Sequence, residues 1–510
     1  MDDTDSLIKQ RRTKLAFGEF RERELVAFLC LLAAIHVFIF SAAFPFFTNI
    51  DEPAHFDLVV KYSHGHVPRS LEPVSADSAV YLALFSSCAY FGTPDKFPDG
   101  KMPPPPWSQP IEKMRRDLAV NAAGWSAQKN YESPQPPLYY ALAGSWWRVG
   151  QWCGLRSGGL LYWLRFLNVL LVAVLVWLGY LAARMIFPDE RFLRLGVPAL
   201  LAFLPQSAFY SIENDVMSAL CFGAAFLLLL KFLNSEKPGV RLGAAAGLAL
   251  AATYLTKIVN VPLIAVSLLM LFLKIVNLMK AKQWRAAWPA FLTLGLCAGV
   301  PAGLWMTWCK FNYGDLTGST VAIQYWNTIA KPLGEWWHHP IFTLRGSWTF
   351  LSDLLSKFWQ GEFKWHDQPM TFQSVGIIYA LLSIGFVLLA LANVCLAPAG
   401  VTSLQRQTLW FGFGCLIASV VFWGGQSIIY DFTNCPNPTP QYPYFSTGRY
   451  LMGAVIPFLL LFVRGLDRAL NRFGDAAKFS ALAAMILFML AGEIATDWPA
   501  FSNEFNWYHI

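Results

Sequence analysis

Long apolar runs recur along the whole chain, and this repetition limits the folds that are open to it. Each run has roughly 18–25 residues, which is enough for a helix to cross a hydrocarbon core about 30 Å thick. Hydrophobic residues make up 55% of the 510 residues and charged residues only 14%, whereas soluble domains carry about a quarter charged residues. The sequence therefore predicts an all-α polytopic membrane protein.

The apolar runs predict about eleven transmembrane helices. They are residues 24–46, 159–187, 195–211, 215–233, 241–257, 260–279, 286–309, 371–396, 408–430, 449–466 and 478–497. The first run is longer than the core of a secretory signal, so we expect a retained anchor. The tail 1–23 and each short inner connection carry Lys or Arg, which places them in the cytoplasm. The net charge of +7 is then explained by orientation, and we expect no nucleic-acid partner.

The remaining segments divide unevenly between the two faces of the membrane. Spans 2–7 lie within 159–309 and spans 8–11 within 371–497, while the predicted outer face receives 47–158, 310–370 and the tail 498–510. These outer segments are rich in Trp, Tyr and Pro, and "PPLYYALAGSWWRVGQW" is short enough to suit a helix lying in the interface. Because the spans hold little charge, we expect chemistry or recognition at the outer surface.

The stretch "TNIDEPAHFDLVV" directly follows the first span. An acid before Pro53 is a good helix start, and Asp51 and His55 then lie one helical turn apart. Alternatively, a partly desolvated Asp51 is a general base for a hydroxyl group. These residues with His64 and His66 would suit a metal ion in principle. Surface histidines in a turn explain the pattern better, so we expect no cofactor and do not favour a divalent metal.

Other polar groups are expected to face the same side, and each has a structural alternative such as a helix start, a tight turn or an interfacial anchor. They are Glu132 and Gln135 in "NYESPQPPLYY", Glu213, Asn214 and Asp215 in "FYSIENDVMS", Lys257 in "YLTKIVN", Glu362, His366 and Asp367 in "GEFKWHDQP", and Arg449 and Tyr450 in "STGRYLMGAVIP". Acids among aromatic rings suit sugars, while Lys and Arg suit phosphate oxygens.

Taken in order, "DEPAHF", "PPLYY", "END", the outer Lys and "STGRYLMGAVIP" resemble the GT-C superfamily of membrane glycosyltransferases. Within it, the pattern is similar to a bacterial family of predicted membrane proteins with DEPxH and GRYL motifs. The resemblance runs from about residue 48 to 460. It implies a multi-pass protein of the bacterial inner membrane that transfers a sugar from a polyprenyl-phosphate donor on the periplasmic face.

The resemblance also implies residue roles. Asp51 and Glu52 would be the catalytic residues: Asp51 would deprotonate the acceptor hydroxyl, and Glu52 would position Asp51 or the acceptor. Polyprenyl phosphate would leave the anomeric carbon, most simply with inversion. Lys257 and Arg449, beside Tyr450, would bind the leaving phosphate.

The resemblance further implies that Glu132 and His366 contact the acceptor or the sugar. His55, Gln135, Glu213, Asn214, Asp215, Glu362 and Asp367 complete the expected substrate site. The first outer segment lacks the DxD pattern of metal-dependent relatives, which argues against a metal requirement.

Two other functions are compatible with the sequence: a transporter or flippase of lipid-linked glycans, and a non-catalytic subunit of an envelope assembly complex. The sugar, the acceptor (glycan, lipid or protein) and the oligomeric state are not specified. Cys88, Cys153 and Cys435 lie in connecting segments, where a disulfide is compatible with an oxidising side but not deducible.

Overall fold

The computed structural model describes residues 2–396, 401–433 and 438–506, with side chains from residue 21 onward except that of Phe91. Within these residues the α-helices are α1 (Asp2–Ala43), α2 (Glu52–Ser63), α3 (Ala76–Phe85), α4 (Cys88–Phe91), α5 (Ile111–Ser126), α6 (Leu138–Trp152), α7 (Ser157–Arg165), α8 (Leu167–Ile186), α9 (Arg191–Ala202), α10 (Asp215–Asn234), α11 (Val240–Thr256), α12 (Val261–Lys280), α13 (Trp284–Tyr313), α14 (Ser319–Tyr325), α15 (Leu333–Trp336), α16 (Leu344–Gln360), α17 (Gln373–Leu396), α18 (Ser403–Ile429), α19 (Val455–Ala469) and α20 (Gly474–Phe501). The strands are β1 (Thr328–Ala330), β2 (Lys364–Trp365), β3 (Gln368–Pro369) and β4 (Tyr430–Phe432).

Nine helical stretches in the described part of the chain are long and apolar enough to cross a membrane. They are Arg21–Ala43, Ser157–Ile186, Asp215–Asn234, Ile258–Lys280, Trp284–Tyr313, Gln373–Leu396, Ser403–Ile429, Gly448–Ala469 and Asn471–Phe501. Each coincides with one of the predicted spans. The all-α polytopic class is therefore confirmed.

The other two predicted spans coincide with shorter helices. The run 241–257 forms α11, which has 17 residues. The run 195–211 overlaps α9, whose 12 residues correspond to about 18 Å of helix at 1.5 Å per residue. The chain then leaves the helix before Pro205 and continues through a short 3₁₀ turn, Ser207–Phe209, to the start of α10. Hydropathy alone did not detect this helix end because residues 203–212 are largely apolar and are buried against protein.

The centre of the bundle is formed by α10 and α19, which are the most buried of the candidate spans. Glycine allows the closest approaches around it. A side chain at Gly465 on α19 would stand 1.9 Å from the carbonyl oxygen of Phe386 on α17, and one at Gly247 on α11 would stand 2.4 Å from that of Leu294 on α13. Such contacts between helix backbones are typical of membrane bundles, where small residues line the interfaces.

One end of the bundle carries a layer of shorter elements, which we call the loop layer: residues 44–156, 314–372 and the described part of 430–447. In it α2 lies against α6, β1 pairs antiparallel with β4, and β2 pairs antiparallel with β3. Tyr313 at the end of α13 ties the bundle to this layer, because its hydroxyl donates to the carbonyl oxygens of Pro68 and Ser133 at 2.8 and 2.9 Å.

The predicted tail 498–510 does not begin as a separate segment. Its first residues extend α20 to Phe501. Residues 507–510 lie outside the described residues.

Candidate functional site

Asp51 begins α2, but its side chain lines a cavity and does not cap the helix. Asp51 is the N-cap residue, with a left-handed φ of 67°, and its side chain makes no bond to the first turn. Pro53 follows in the first helical turn, as the sequence predicted. The carboxylate accepts instead from the hydroxyl of Tyr131 at 2.5 Å and from Arg449. The position therefore begins a helix while its side chain stays available for chemistry.

Glu52 has a different environment from its neighbour. Its side chain is fully buried, and Arg165 of α7 donates to it from Nε at 2.8 Å and from Nη2 at 2.9 Å. The backbone N–H groups of Phe47 and Ile212 donate to the same carboxylate at 2.9 and 3.1 Å. Both oxygens are thus occupied by protein. We call this arrangement the Glu52–Arg165 clamp; it ties the segment before α2 to α7 and to the segment before α10.

The motif "GRYL" delivers Arg449 to the same site. A side chain at Gly448 would stand 2.1 Å from the backbone nitrogen of Phe358, so only glycine lets this turn lie directly against α16. Arg449 then ion-pairs with Asp51, with Glu213 at 3.0 Å and with Glu362 at 3.2 Å. The guanidinium is therefore surrounded by carboxylates from three distant parts of the chain.

Behind Arg449, the segment "END" forms a buried polar layer with α11. Both oxygens of Asp215 accept from Lys257 Nζ at 2.7 Å. Asn214 donates to the carbonyl oxygen of Thr256 at 3.3 Å. Lys257 also lies 5.0 Å from the centre of the Tyr450 ring. Lys257 is buried and does not line the cavity described below, which leaves it without access to a ligand in that cavity.

The charges of this site do not balance, because five carboxylates lie around two cations. The carboxylates belong to Asp51, Glu132, Glu213, Asp215 and Glu362, and the cations to Lys257 and Arg449. The excess of negative charge favours protonation of the most buried acids.

The acids respond to this field in opposite directions. Burial opposes ionisation of Asp51, but the charge of Arg449 and the hydrogen bonds from Tyr131 and Arg449 together hold the pKa of Asp51 below its ordinary value. Burial, reinforced by the charge of Asp51, raises the pKa of Glu132 to about 7. Burial likewise raises the pKa of Glu213 well above its ordinary value, although Arg449 acts against it. At neutral pH, Asp51 is therefore a charged carboxylate beside an acid that titrates.

His55 lies one turn into α2 and is buried. Its Nδ1 is 2.7 Å from the hydroxyl of Tyr140. Burial lowers the pKa of His55 to about 3, with the nearby Lys257 and Arg449 contributing in the same direction. The imidazole is therefore neutral at physiological pH.

Among the described residues, Asp51, His55 and Glu132 form a group that could hold a metal ion, with one ligand atom from each within 4.8 Å of the others. The oxygens of Asp51 already accept from Tyr131 and Arg449. A cation placed there would therefore share the Asp51 carboxylate with the guanidinium of Arg449.

A single cavity of about 950 Å³ connects these groups with an apolar wall. Its polar part is lined by Asp51, Tyr131, Glu132, Glu362 and Arg449, and by Asp353, Lys357 and Lys364 from α16 and β2. Its apolar part is lined by Val259, Val261, Ile323, Trp326, Phe422, Trp423, Phe445 and Tyr450, from the loop layer and the ends of candidate spans. A cavity of this composition suits a ligand with one polar and one apolar part.

Not every predicted residue faces the cavity. His55, Gln135 and Asn214 are not part of its wall. Glu213 and Asp215 lie 3.0 and 4.0 Å from the Arg449 guanidinium and do not line the cavity either. His366 and Asp367 turn away in the β2–β3 hairpin: the N–H of His366 donates to the carbonyl oxygen of Ala89 at 2.6 Å, and Asp367 lies 3.5 Å from Lys96.

The sequence left open whether Cys88, Cys153 or Cys435 form a disulfide. Cys88 and Cys153 are free thiols. Cys435 lies outside the described residues.

Sequence reasoning missed several residues that build the site. Tyr131 directly precedes the predicted Glu132 in "NYESPQPP". The concentration of polar residues in this motif was the sequence feature that could have identified Tyr131. Arg165 interrupts an apolar run without any motif, and a charged residue at such a position is itself a sign of a buried partner. Lys357 and Lys364 flank the predicted Glu362 in "SKFWQGEFK".

A family model described as "Predicted membrane protein (DUF2142)" matches residues 32–422, more than half of the chain. The chain belongs to this family. The family description agrees with the apolar helices and names no activity. No curated protein matches the chain.

Among solved structures, the chain is similar to the crystal structure of ArnT from Cupriavidus metallidurans bound to undecaprenyl phosphate. The identity is 13%, the match covers 87% of this chain and 77% of that one, and the TM-score is 0.35. A likeness at this score carries no argument about function.

Proposed function

We propose that this protein is a membrane glycosyltransferase of the GT-C type. It would transfer a sugar from a polyprenyl-phosphate donor to an acceptor hydroxyl on the periplasmic side of the bacterial inner membrane. The observation that carries the proposal is the cavity of about 950 Å³, because its wall joins a carboxylate cluster to an apolar surface at the ends of candidate spans. A donor with a lipid tail and a sugar head needs both surfaces within one site.

We propose that the Asp51–Glu132 pair removes the proton from the acceptor hydroxyl. Asp51 faces the cavity, and its two oxygens accept from Tyr131 and Arg449, which fixes their direction. A carboxylate oxygen has a second lone pair and can still accept from a hydroxyl. Glu132 Oε2 has no hydrogen-bond partner among the described residues. Two interacting carboxyl groups titrate as a unit, so Asp51 supplies the permanent charge and Glu132 the group that ionises near neutral pH.

The reaction that follows is a displacement at the anomeric carbon. The acceptor oxygen forms a bond to that carbon, its proton passes to the carboxylate pair, and the bond to the phosphate oxygen breaks. Attack on the face opposite the phosphate gives inversion. Polyprenyl phosphate leaves with the negative charge, which requires a cation on the donor side of the cavity. No step of this sequence calls for a metal ion.

We further propose that Glu52 supports the site indirectly. The Glu52–Arg165 clamp occupies both of its oxygens, so Glu52 places the segment that carries Asp51 and does not touch substrate.

Purified protein in liposomes, supplied with a labelled polyprenyl-phosphate sugar and candidate acceptor lipids or glycans, tests the proposal. We expect a new glycosidic product, and we expect Asp51→Asn to abolish it while the variant still binds the donor. Glu112 on α5 is exposed and does not line the cavity, so Glu112→Gln is the matched control. Full transfer by Asp51→Asn would exclude the catalytic assignment. Lipid translocation without a product would identify a flippase instead.

A further inference from the structure

The cations that the sequence assigned to the lipid phosphate are already neutralised by protein. Arg449 ion-pairs with Asp51, Glu213 and Glu362, and Lys257 is held by both oxygens of Asp215. A phosphate placed there would add an anion to a group in which carboxylates already outnumber cations. Like charges at such distances repel, and more strongly inside a protein than in water. The phosphate must therefore be bound elsewhere in the cavity.

Two other lysines line the same cavity, Lys357 in the last turn of α16 and Lys364 in β2. Lys357 Nζ lies 2.8 Å from Asp353 and 3.1 Å from Ser446 Oγ. An ammonium has three N–H donors, so one of them is still available to a ligand. Lys364 has no carboxylate within ion-pair distance among the described residues. Lys364, which lacks a carboxylate partner, and Lys357, which keeps one N–H donor beside its pairing with Asp353, thus belong to one short segment that lines the cavity.

This segment is held firmly by its neighbours. Gly361 has a φ of 79°, and a side chain there would stand 2.2 Å from Ser207 Oγ. The N–H of Glu362 donates to the same Oγ at 3.2 Å. Lys364 pairs with Pro369 in the β2–β3 hairpin. The backbone that carries both lysines is therefore fixed beside the cavity before any ligand arrives, which lowers the entropy cost of binding.

An aromatic wall continues from the lysines toward the candidate spans. Phe445, which directly precedes Ser446, stacks on Trp423 of α18 with ring centres 5.0 Å apart. Tyr450 lies 4.7 Å from the same Trp423. All three rings line the cavity. A ligand with its phosphate at the lysines would have its hydrocarbon chain along these rings, and its sugar would extend toward Asp51.

We propose that Lys357 and Lys364 bind the phosphate of a polyprenyl-phosphate ligand. Arg449 instead organises the carboxylates. This inference rests on the proposed function, because it assigns the donor phosphate of that reaction to a specific place. It replaces Lys257 and Arg449 as the phosphate ligands and leaves their structural roles unchanged.

The test measures binding by the full-length protein in detergent, without turnover. The probes are a short-chain polyprenyl phosphate, the corresponding polyprenol and inorganic phosphate. We expect Lys357→Gln and Lys364→Gln each to weaken binding of the polyprenyl phosphate about tenfold, the equivalent of one charge-assisted hydrogen bond. Binding of the polyprenol should not change, and Lys364→Arg should retain binding of the polyprenyl phosphate. Lys113 on α5 is exposed, so Lys113→Gln is the matched control. Thermal unfolding verifies that each variant is folded.

The outcomes separate the two proposals. Wild-type affinity in both Gln variants, or equal affinity of the wild type for polyprenol and polyprenyl phosphate, would overturn the phosphate assignment but not the glycosyltransferase. Inorganic phosphate bound as tightly as the lipid would mean a site for a soluble anion and would also overturn it. A wild-type protein that binds neither lipid would overturn both proposals.

Discussion

Replacing Glu52 by Gln should destabilise the fold strongly, even though Glu52 is adjacent to the proposed catalytic carboxylate. The side chain is fully buried and accepts four hydrogen bonds, two from Arg165 and one each from the N–H groups of Phe47 and Ile212. Glutamine has the same shape but replaces one accepting oxygen by an NH₂ donor. It therefore leaves the Arg165 guanidinium buried without a counter-charge.

The expected magnitude follows from these contacts. Removal of one partner from a buried ion pair costs about 3–5 kcal/mol because the other charge remains desolvated. The amide has a single acceptor oxygen, so it cannot serve the guanidinium and both backbone N–H groups. Asp51→Asn should cost less than Glu52→Gln, because Arg449 keeps Glu213 and Glu362 as partners.

Unfolding in detergent, monitored by tryptophan fluorescence, measures the difference. We expect Glu52→Gln to unfold at lower temperature or denaturant concentration than both wild type and Glu112→Gln. The double variant Glu52→Leu with Arg165→Met should recover part of the loss, because it removes both buried charges but leaves two N–H groups without an acceptor. If Glu52→Gln unfolds like the wild type yet transfers no sugar, Glu52 acts on substrate and the clamp is not its main role.

Three further predictions concern the cavity and its walls. Transfer should increase as the pH rises through about 7, because burial raises the pKa of Glu132 to about 7 and this group must lose its proton to act as a base; a wild-type pH profile in Glu132→Gln would contradict this role. Removal of divalent cations by a chelator should leave the rate unchanged, since Arg449 already occupies Asp51; recovery of lost activity by one added metal would refute the metal-free mechanism. Gly448→Ala should destabilise the protein by about 1–3 kcal/mol, because the new methyl group would meet the backbone of α16; Gly425→Ala, at a position with open space, is its control and should show no loss on thermal unfolding.

The fold class and the meeting of distant motifs were accessible from the sequence. Asp51 and Arg449 are 398 positions apart, yet both were placed at the same ends of predicted spans. Hydropathy locates the spans, and the distribution of Lys and Arg among the connecting segments indicates which end of each span faces the cytoplasm. Polar motifs at corresponding span ends must then lie in one layer, whatever their separation along the chain.

The direction of each side chain was not accessible in the same way. Asp51 and Glu52 are adjacent acids, and nothing in "DEP" indicates that one faces a cavity while the other is buried against Arg165. That distinction depends on the left-handed backbone at Asp51 and on α7, which lies more than 100 residues later. The pairing of Lys257 was not accessible for the same reason, since its partner Asp215 comes from another helix.

The clustering of acids around Arg449 has a consequence for biosynthesis. Asp51, Glu213 and Glu362 all precede Arg449 along the chain, and Arg449 begins the penultimate candidate span. During synthesis from the N-terminus, the nascent protein therefore holds an uncompensated group of carboxylates until the ribosome has completed most of its length. Protonation or exposure to water must stabilise the intermediate, and integration of the GRYL segment converts it into the mature protein. Charge compensation at the site therefore depends on insertion of the penultimate candidate span.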